Sequence, residues 1–426
     1  MRVLVIAYAC DPNKGSEEGV GWGWVQMIRR FAEVDVVTGD FNEPGLRGRE
    51  TAGLRFHYVK QRPWQYRPEG VWRRIEDSAL KPLMNFSYTL WLGQATRLAR
   101  TLVRQKRYDV VHLVTYVGFR FPGRFAELGV PFVWGPIGGL ENTPWRFLRE
   151  MGWYGATYYT CYNTINTLQK WLLPGPKRAM RIAGQAGGLI AATEGIRREI
   201  KRWYGQESRV ICEIGPPGAV ATSITERGEG EPLRIAWSGL HLPGKALPLL
   251  LRGLAGLGGR LDWRLTVLGS GPLTGKWQRL ARELGIAGRI EWTGKLRRDE
   301  AVRRVHEAHV FAITSLKDLT STVLLEALSQ GVPVVCPDHC GFSNVVTGDC
   351  GVKVKMESPR QLARDLAEAI ARLGADEGER RRLAWGALKR IEDFAWDVKA
   401  RQVERIYRRV VESGKKEKLH NRAEPW

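Results

Sequence analysis

The chain has 426 residues, enough for two domains that each bury their own core, and its apolar fraction of 43% is ordinary for a globular protein. Sixty-six Lys and Arg outweigh 45 Asp and Glu, and a net charge of +21 calls for an anionic partner: a phosphorylated substrate, a membrane surface or nucleic acid. No apolar run of about 18 residues is present to span a bilayer, and the six scattered cysteines lack the paired spacing of a zinc site and read as reduced thiols of a cytoplasmic enzyme.

Residues 1–9 form a continuously apolar strand, too short for a secretory signal. The strand runs into CDPNKGSEEGVGWGW, a glycine-rich turn that opens a helix ending near Arg30. Strands follow at 34–38 and 54–59. Residues 51–110 then carry 12 Lys or Arg against 4 Asp or Glu, with Trp64, Tyr66, Trp72, Phe86, Tyr88 and Trp91 interleaved. Over 71–107 the spacing is helical, with Leu80, Leu83, Met84, Leu90 and Leu98 facing inward. Such a basic, Trp-rich stretch suits an anionic membrane surface, with Arg67, Arg73, Arg74 and Lys81 as its contacts, or equally nucleic acid, or else a solvated charged face over a core. A strand at 109–114, a helix at 119–128 and a strand at 130–134 lead to a second glycine loop, 135–144. Helical, aromatic sequence fills 151–186. A strand at 187–192 meets Thr193, an N-cap for a helix at 194–203, and 209–214 closes the first sheet. Residues 1–218 make the first domain and 219–232 the linker.

The second domain spans 233–395. Strands are expected at 233–237, 263–268, 289–292, 309–313, 332–335 and 352–354, with helices between them and at 359–373 and 377–391. A last helix, 396–411, crosses back to the first domain, and 414–426 is a polar, disordered tail. The stretch SLKDLTSTVLLEALSQGVPVVC, 315–336, organises this half. It reads as a loop, a helix capped by Thr320 or Ser321, and a buried strand. The helix N-terminus presents backbone N–H groups that suit a phosphate. Asp318 precedes the helix and Glu326 lies within it, eight residues on.

That carboxylate pair, the glycine turns and the double doubly wound pattern resemble the retaining GT-B glycosyltransferases of the family 4, or group 1, type. The resemblance implies an α/β fold with two Rossmann-like parallel-sheet domains facing a cleft. It implies that Glu326 holds the ribose hydroxyls of a nucleotide sugar. Asp318, one methylene shorter than the usual Glu, would reach the donor sugar. Lys245, at a helix mouth, would bind the diphosphate together with the helix end at Thr320, Ser321 and Thr322. Gly15, Ser16, Gly239, Gly269 and Gly271 would line the donor, and the nucleobase would lie against the turn at Lys295 and Leu296. Glu17, Gly138, Gly139, Glu141 and Asn142 would face the acceptor. Two family features are absent. Gly135-Pro136 stands where a His is usual, and Leu240 stands where an Arg is usual, with His241 as a partial substitute. The chain has no Asp-x-Asp, so the resemblance implies transfer with neither metal nor cofactor. The donor would be a UDP- or GDP-linked sugar and the acceptor a glycan or lipid-linked glycan, handled in the cytoplasm or at the inner face of a membrane. No nucleic acid is expected, because the basic residues are spread over both halves. A non-catalytic or epimerase-like nucleotide-sugar-binding protein is the alternative.

Overall fold

A computed structural model describes residues 1–61, 85–116, 118–216 and 218–423. The strands are β1 (Arg2–Ile6), β2 (Glu33–Gly39), β3 (Leu54–Val59), β4 (Val110–Leu113), β5 (Phe132–Ile137), β6 (Leu189–Ala191), β7 (Arg209–Val210), β8 (Leu233–Ser238), β9 (Trp263–Leu268), β10 (Ile290–Gly294), β11 (Val310–Ala312), β12 (Val334–Pro337) and β13 (Gly351–Val354). The helices are α1 (Ser16–Arg29), α2 (Glu43–Leu46), α3 (Phe86–Gln105), α4 (Gly152–Leu172), α5 (Pro174–Gln185), α6 (Glu194–Tyr204), α7 (Leu247–Gly256), α8 (Thr274–Glu283), α9 (Arg298–His306), α10 (Thr322–Ser329), α11 (Phe342–Val345), α12 (Pro359–Ala375), α13 (Glu377–Glu392) and α14 (Trp396–Ala423).

The chain divides into two units. The first holds Met1–Asn142, Tyr162–Gly215 and Trp396–Trp426. Among the described residues its seven strands are all parallel, in the order β3-β2-β1-β4-β5-β6-β7. Val3 and Val5 of β1, Val34 and Val36 of β2 and Val110 of β4 are buried, as expected of strands covered on both faces. Trp24, Met27 and Ile28 of α1 and Val403, Ile406 and Tyr407 of α14 complete that core. Lys399 anchors α14 by donating its buried Nζ to the Cys212 and Ile214 carbonyls.

The second unit holds Thr143–Cys161 and Pro216–Ala395. Its six strands are also all parallel, in the order β10-β9-β8-β11-β12-β13. Ile235, Trp237, Leu265, Val267 and Val335 pack with Leu250 and Leu254 of α7 and Leu366 and Ile370 of α12. Helix starts are chemically marked. Thr193 accepts from the Ile196 N–H at α6, and Ser358 and Gln361 form a reciprocal capping box at α12. In each sheet the strand order reverses once, between β1 and β4 in the first unit and between β8 and β11 in the second. Ligands of doubly wound sheets bind beyond the carboxyl ends of the strands at such a reversal.

Several expectations are corrected. The helix expected at 119–128 is only a 3-10 turn at Phe125–Glu127, because Pro122 and Gly123 interrupt it. Residues 143–161 belong to the second unit, with Phe147, Leu148 and Met151 in its core, because the apolar side of WRFLREM is consumed there. The expected linker is also part of that unit, since Ile224 is buried with Ala384 and Leu388 of α13. The last helix does not end at 411 but continues to Ala423, its Glu- and Lys-rich sequence being compatible with helix. Of the basic, Trp-rich segment, residues 62–84, with Arg67, Arg73, Arg74 and Lys81, lie outside the described residues. In α3 the buried stripe is Tyr88, Trp91, Leu92, Ala95, Ala99 and Leu102, while Leu90 and Leu98 are half-buried. The Tyr88 and Trp91 rings of that helix serve the core.

Candidate active site

In the second unit the turn after β8 and the loop after β11 lie side by side at the reversal point. Pro243–Lys245 is a short 3-10 turn, fixed to the β11 loop by two hydrogen bonds. The Leu316 N–H donates to the Gly244 carbonyl at 2.8 Å, and Thr314 Oγ1 donates to the Lys245 carbonyl at 2.6 Å. This brings Lys245 Nζ to 2.5 Å from Asp318 Oδ2, each side chain about one-fifth exposed. Asp318 also accepts from the Leu319 N–H through Oδ1. The cation expected to meet phosphate is thus paired with the neighbouring carboxylate.

Glu326 sits one turn into α10, its side chain 11% exposed. Its Oε1 lies 3.4 Å from Nε of Arg298, at the start of α9. Burial raises its pKa above the usual carboxylate range, and the Arg298 guanidinium opposes that rise. Ser321 occupies the N-cap position of α10 but makes no side-chain capping bond, and α10 begins at Thr322. Thr320 is buried, with its Oγ1 close against the backbone of Gly341.

The glycines after β8, β9 and β10 shape the same edge. Gly269 has φ +107, and a Cβ there would lie 2.2 Å from the Gly239 carbonyl oxygen. Only glycine fits that approach. Gly271 donates its N–H to Thr274 Oγ1. Lys295 is exposed and Leu296 half-buried directly after β10. His241 does not join this group. Its ring is fully buried, 4.8 Å from the Trp277 ring and 5.7 Å from the Trp237 ring, with Nδ1 2.7 Å from Thr274 Oγ1. Burial lowers its pKa and holds it neutral. As a substitute for the missing arginine it is misplaced: the Trp side chains around it draw the ring into the core.

In the first unit the reversal point carries different chemistry. Gly15 is the exposed N-cap of α1, and Ser16 and Glu17 begin that helix. The half-buried Glu17 carboxylate has a raised pKa through burial, partly offset by a bond from the Tyr116 backbone N–H. Tyr116 follows β4, and its ring packs at 4.7–4.8 Å on Tyr88 and Tyr8. Trp91 lies edge-on to Tyr8 at 4.9 Å.

The loop after β5 is structural in most of its polar contacts. Glu141 accepts from Thr193 Oγ1 at 3.1 Å, and Asn142 bonds Thr167 and Asn166 of α4. Gly138 accepts from the Phe119 N–H, and Gly139, at φ +77, lies beside Arg120. Gly135 has φ +138, and a Cβ there would meet the Ile190 carbonyl oxygen at 2.2 Å. No side chain, histidine included, fits at that position. The nearby His112 is wholly buried. Its Nδ1 is 2.6 Å from the Tyr407 hydroxyl and its Nε2 2.8 Å from the Gly135 carbonyl. Burial pushes its pKa down to about 3.

Sequence reasoning missed two features. Arg298 as the partner of Glu326 was masked by its place in a run of charges, Arg297 to Glu300. The ring cluster around Tyr8 draws on three segments far apart in sequence, and only the Tyr88/Trp91 spacing hinted at it.

Two all-parallel doubly wound units, the second with paired charges at its strand reversal, define a GT-B-type transferase fold. The sequence matches the glycosyl transferase 4-like domain over residues 15–213 and the glycosyl transferases group 1 model over 232–376. The chain is 30% identical over 446 residues to the D-inositol 3-phosphate glycosyltransferase of Nocardioides sp., covering 91% of each. It belongs to the group 1 glycosyltransferases. It is also 28% identical to the D-inositol 3-phosphate glycosyltransferase of Streptomyces bingchenggensis over 248 residues, 53% of this chain and 54% of that one. Several other relatives are likewise matched over only 58 to 61% of their length. Among solved structures, the lipopolysaccharide outer core galactosyltransferase WaaB superposes with TM-score 0.59 at 16% identity, over 98% of this chain and 100% of that one. Anabaena HepE in complex with UDP superposes with TM-score 0.61 at 15% identity, over 95% and 99%. At these identities the likeness is one of fold.

Proposed function

We propose that the protein is a retaining, metal-independent glycosyltransferase that moves a sugar from a nucleoside-diphosphate donor to a glycan or lipid-linked acceptor at the cytoplasmic side. The observation that carries this is the pairing of Lys245 with Asp318 at the strand reversal of the second unit, with the buried Glu326 one turn into the helix that follows. Glu326 accepts from the ribose hydroxyls, displacing Arg298. Lys245 leaves Asp318 for the diphosphate, and the α10 N-terminus adds backbone N–H groups. Asp318, released from Lys245, turns to hydroxyls of the donor sugar.

In the reaction, the bond from the anomeric carbon to the diphosphate breaks while the acceptor oxygen bonds to the same face. The acceptor proton passes to a phosphate oxygen. Lys245 and the helix end stabilise the growing charge on the leaving diphosphate. HepE and a trehalose-6-phosphate enzyme of E. coli, both similar in fold, are complexes with UDP or a UDP sugar. That supports uridine diphosphate as the first donor nucleotide to test, before GDP.

A thermal-shift panel of UDP, GDP and ADP tests the donor. A nucleotide at 100 times its dissociation constant adds roughly 2.7 kcal/mol of stability, and a chain unmoved by all three would refute the assignment. NMR of the product anomer, with and without EDTA, tests the rest. Inversion, or loss of turnover on chelation, would overturn the mechanism. Donor conversion without any acceptor would favour the epimerase-like alternative.

A further inference from the structure

The second half of α4 is built inside out. Its inner face holds Tyr162, Asn163, Asn166 and Lys170, all buried, with Lys170 only 2% exposed. Arg120 donates to Asn166 Oδ1 and Gln169 Oε1. Asn166 Nδ2 donates in turn to the Leu140 carbonyl and to Asn142 Oδ1. Lys170 Nζ reaches Glu199 Oε2 of α6 at 2.7 Å and lies over the Trp203 ring. These polar contacts fix the rotation of the helix about its axis.

The outer face is consequently apolar. Leu168, Trp171 and Leu172 stand at i, i+3 and i+4, so they share one face, and they are 47%, 64% and 60% exposed. The preceding exposed positions, Cys161 and Thr164, are uncharged. A helix that faces water normally shows the reverse pattern. Pro174 then opens α5, whose exposed Lys177, Arg178 and Arg181 follow at once. Arg178 is partly engaged by Glu127, 3.3 Å away. A Trp and two Leu beside a cationic rim match the boundary of an anionic bilayer, where indole rings settle at headgroup depth and Lys or Arg meet lipid phosphates. A second copy of the chain is disfavoured there, because pairing would oppose two basic rims on chains of net charge +21.

We propose that the Leu168, Trp171 and Leu172 ridge, with the exposed Lys177, Arg178 and Arg181 of the helix that follows it, seats the first unit on an anionic phospholipid surface. None of these residues belongs to the basic segment at 62–84, and the proposal does not depend on the transferase assignment.

The test is co-sedimentation of the full chain with vesicles of phosphatidylcholine alone or mixed with phosphatidylglycerol. The chain is expected to partition onto the anionic vesicles, less so as salt rises. The triple change Leu168→Gln, Trp171→Gln, Leu172→Gln should weaken partitioning at least about tenfold, as should Lys177→Glu, Arg178→Glu, Arg181→Glu. Trp171→Phe should retain it, and melting temperatures should stay unchanged throughout. Equal or absent partitioning of the wild type on the two vesicle types would overturn the proposal, as would wild-type binding by the triple Gln variant. A dimer in solution that becomes monomeric in that variant, without vesicle binding, would assign the ridge to self-association instead.

Discussion

The two strand reversals of this molecule occupy equivalent topological positions yet hold opposite chemistry. Beyond β8 and β11 stand paired charged side chains, Lys245 with Asp318, and Glu326 with Arg298 of α9. Beyond β1 and β4 stand packed rings, Tyr8, Tyr88, Trp91 and Tyr116, with Glu17 among them as a carboxyl whose pKa burial raises. Just beneath lies His112, its two ring nitrogens matched by a hydroxyl and a carbonyl. The same fold position can therefore hold paired charges or packed rings. The distinguishing feature is whether the polar groups there face partners that a ligand could replace.

The largest expected effect is on acid stability, and it concerns both units. Burial pushes His112 down to about 3, and burial with the Arg234 and Arg380 guanidinium groups pushes His309 down to about 3, against 6.5 in the unfolded chain. Below about pH 6.5 the unfolded state binds the additional protons. Stability is therefore complete above that pH and falls as pH drops towards 3, by about 1.4 kcal/mol per pH unit for each histidine. Urea melts from about pH 7 to about pH 4 should show the slope, and His112→Gln should remove part of it. A flat profile would mean that neither ring is held neutral.

Next in size is the exchangeable site. Lys245→Ala and Glu326→Ala should each weaken nucleotide binding by at least about tenfold, charge-assisted bonds being worth roughly 1.5 to 3 kcal/mol, with little change in melting temperature. Calorimetry showing unchanged affinity in both would break the contrast between the units. The mirror experiment is Tyr407→Phe, which leaves His112 Nδ1 without its hydroxyl. About 1 to 3 kcal/mol of stability should be lost, while nucleotide affinity remains at the wild-type value. Asp318→Asn should do least to nucleotide affinity, less than about threefold, because it only unpairs Lys245. Its signature should be altered preference among donor sugars in competition assays, and unaltered preference would remove Asp318 from the sugar subsite.

Much of this architecture could be read from the residues. The apolar runs in β1 and β12 announced buried parallel strands, and Thr193 announced a helix start. The spacing of Asp318 and Glu326 located the charged edge of the second unit. What could not be read depends on register between segments distant in sequence. Arg298 meets Glu326 only because α9 packs beside α10, and His241 is lost to the core only because Trp237 and Trp277 surround it. Local helical spacing likewise could not tell that Asn166 and Lys170 would face inward and Trp171 outward. That inversion is set by Arg120 and Glu199, far along the chain.

The anchoring of α14 bears on the order in which the protein can be made. The first unit begins at Met1, yet Val403, Ile406, Tyr407 and Val410 fill its core, and Lys399 ties off the loop after β7. A ribosome delivers the N-terminal sheet early, but the helix that covers it arrives only after Pro216–Ala395 of the second unit. Meanwhile Pro216–Ala395 emerges as an uninterrupted segment of the second unit. Of these two units, the one whose first segment comes earlier in the chain is thus completed later, with β1 and β4 waiting for their cover.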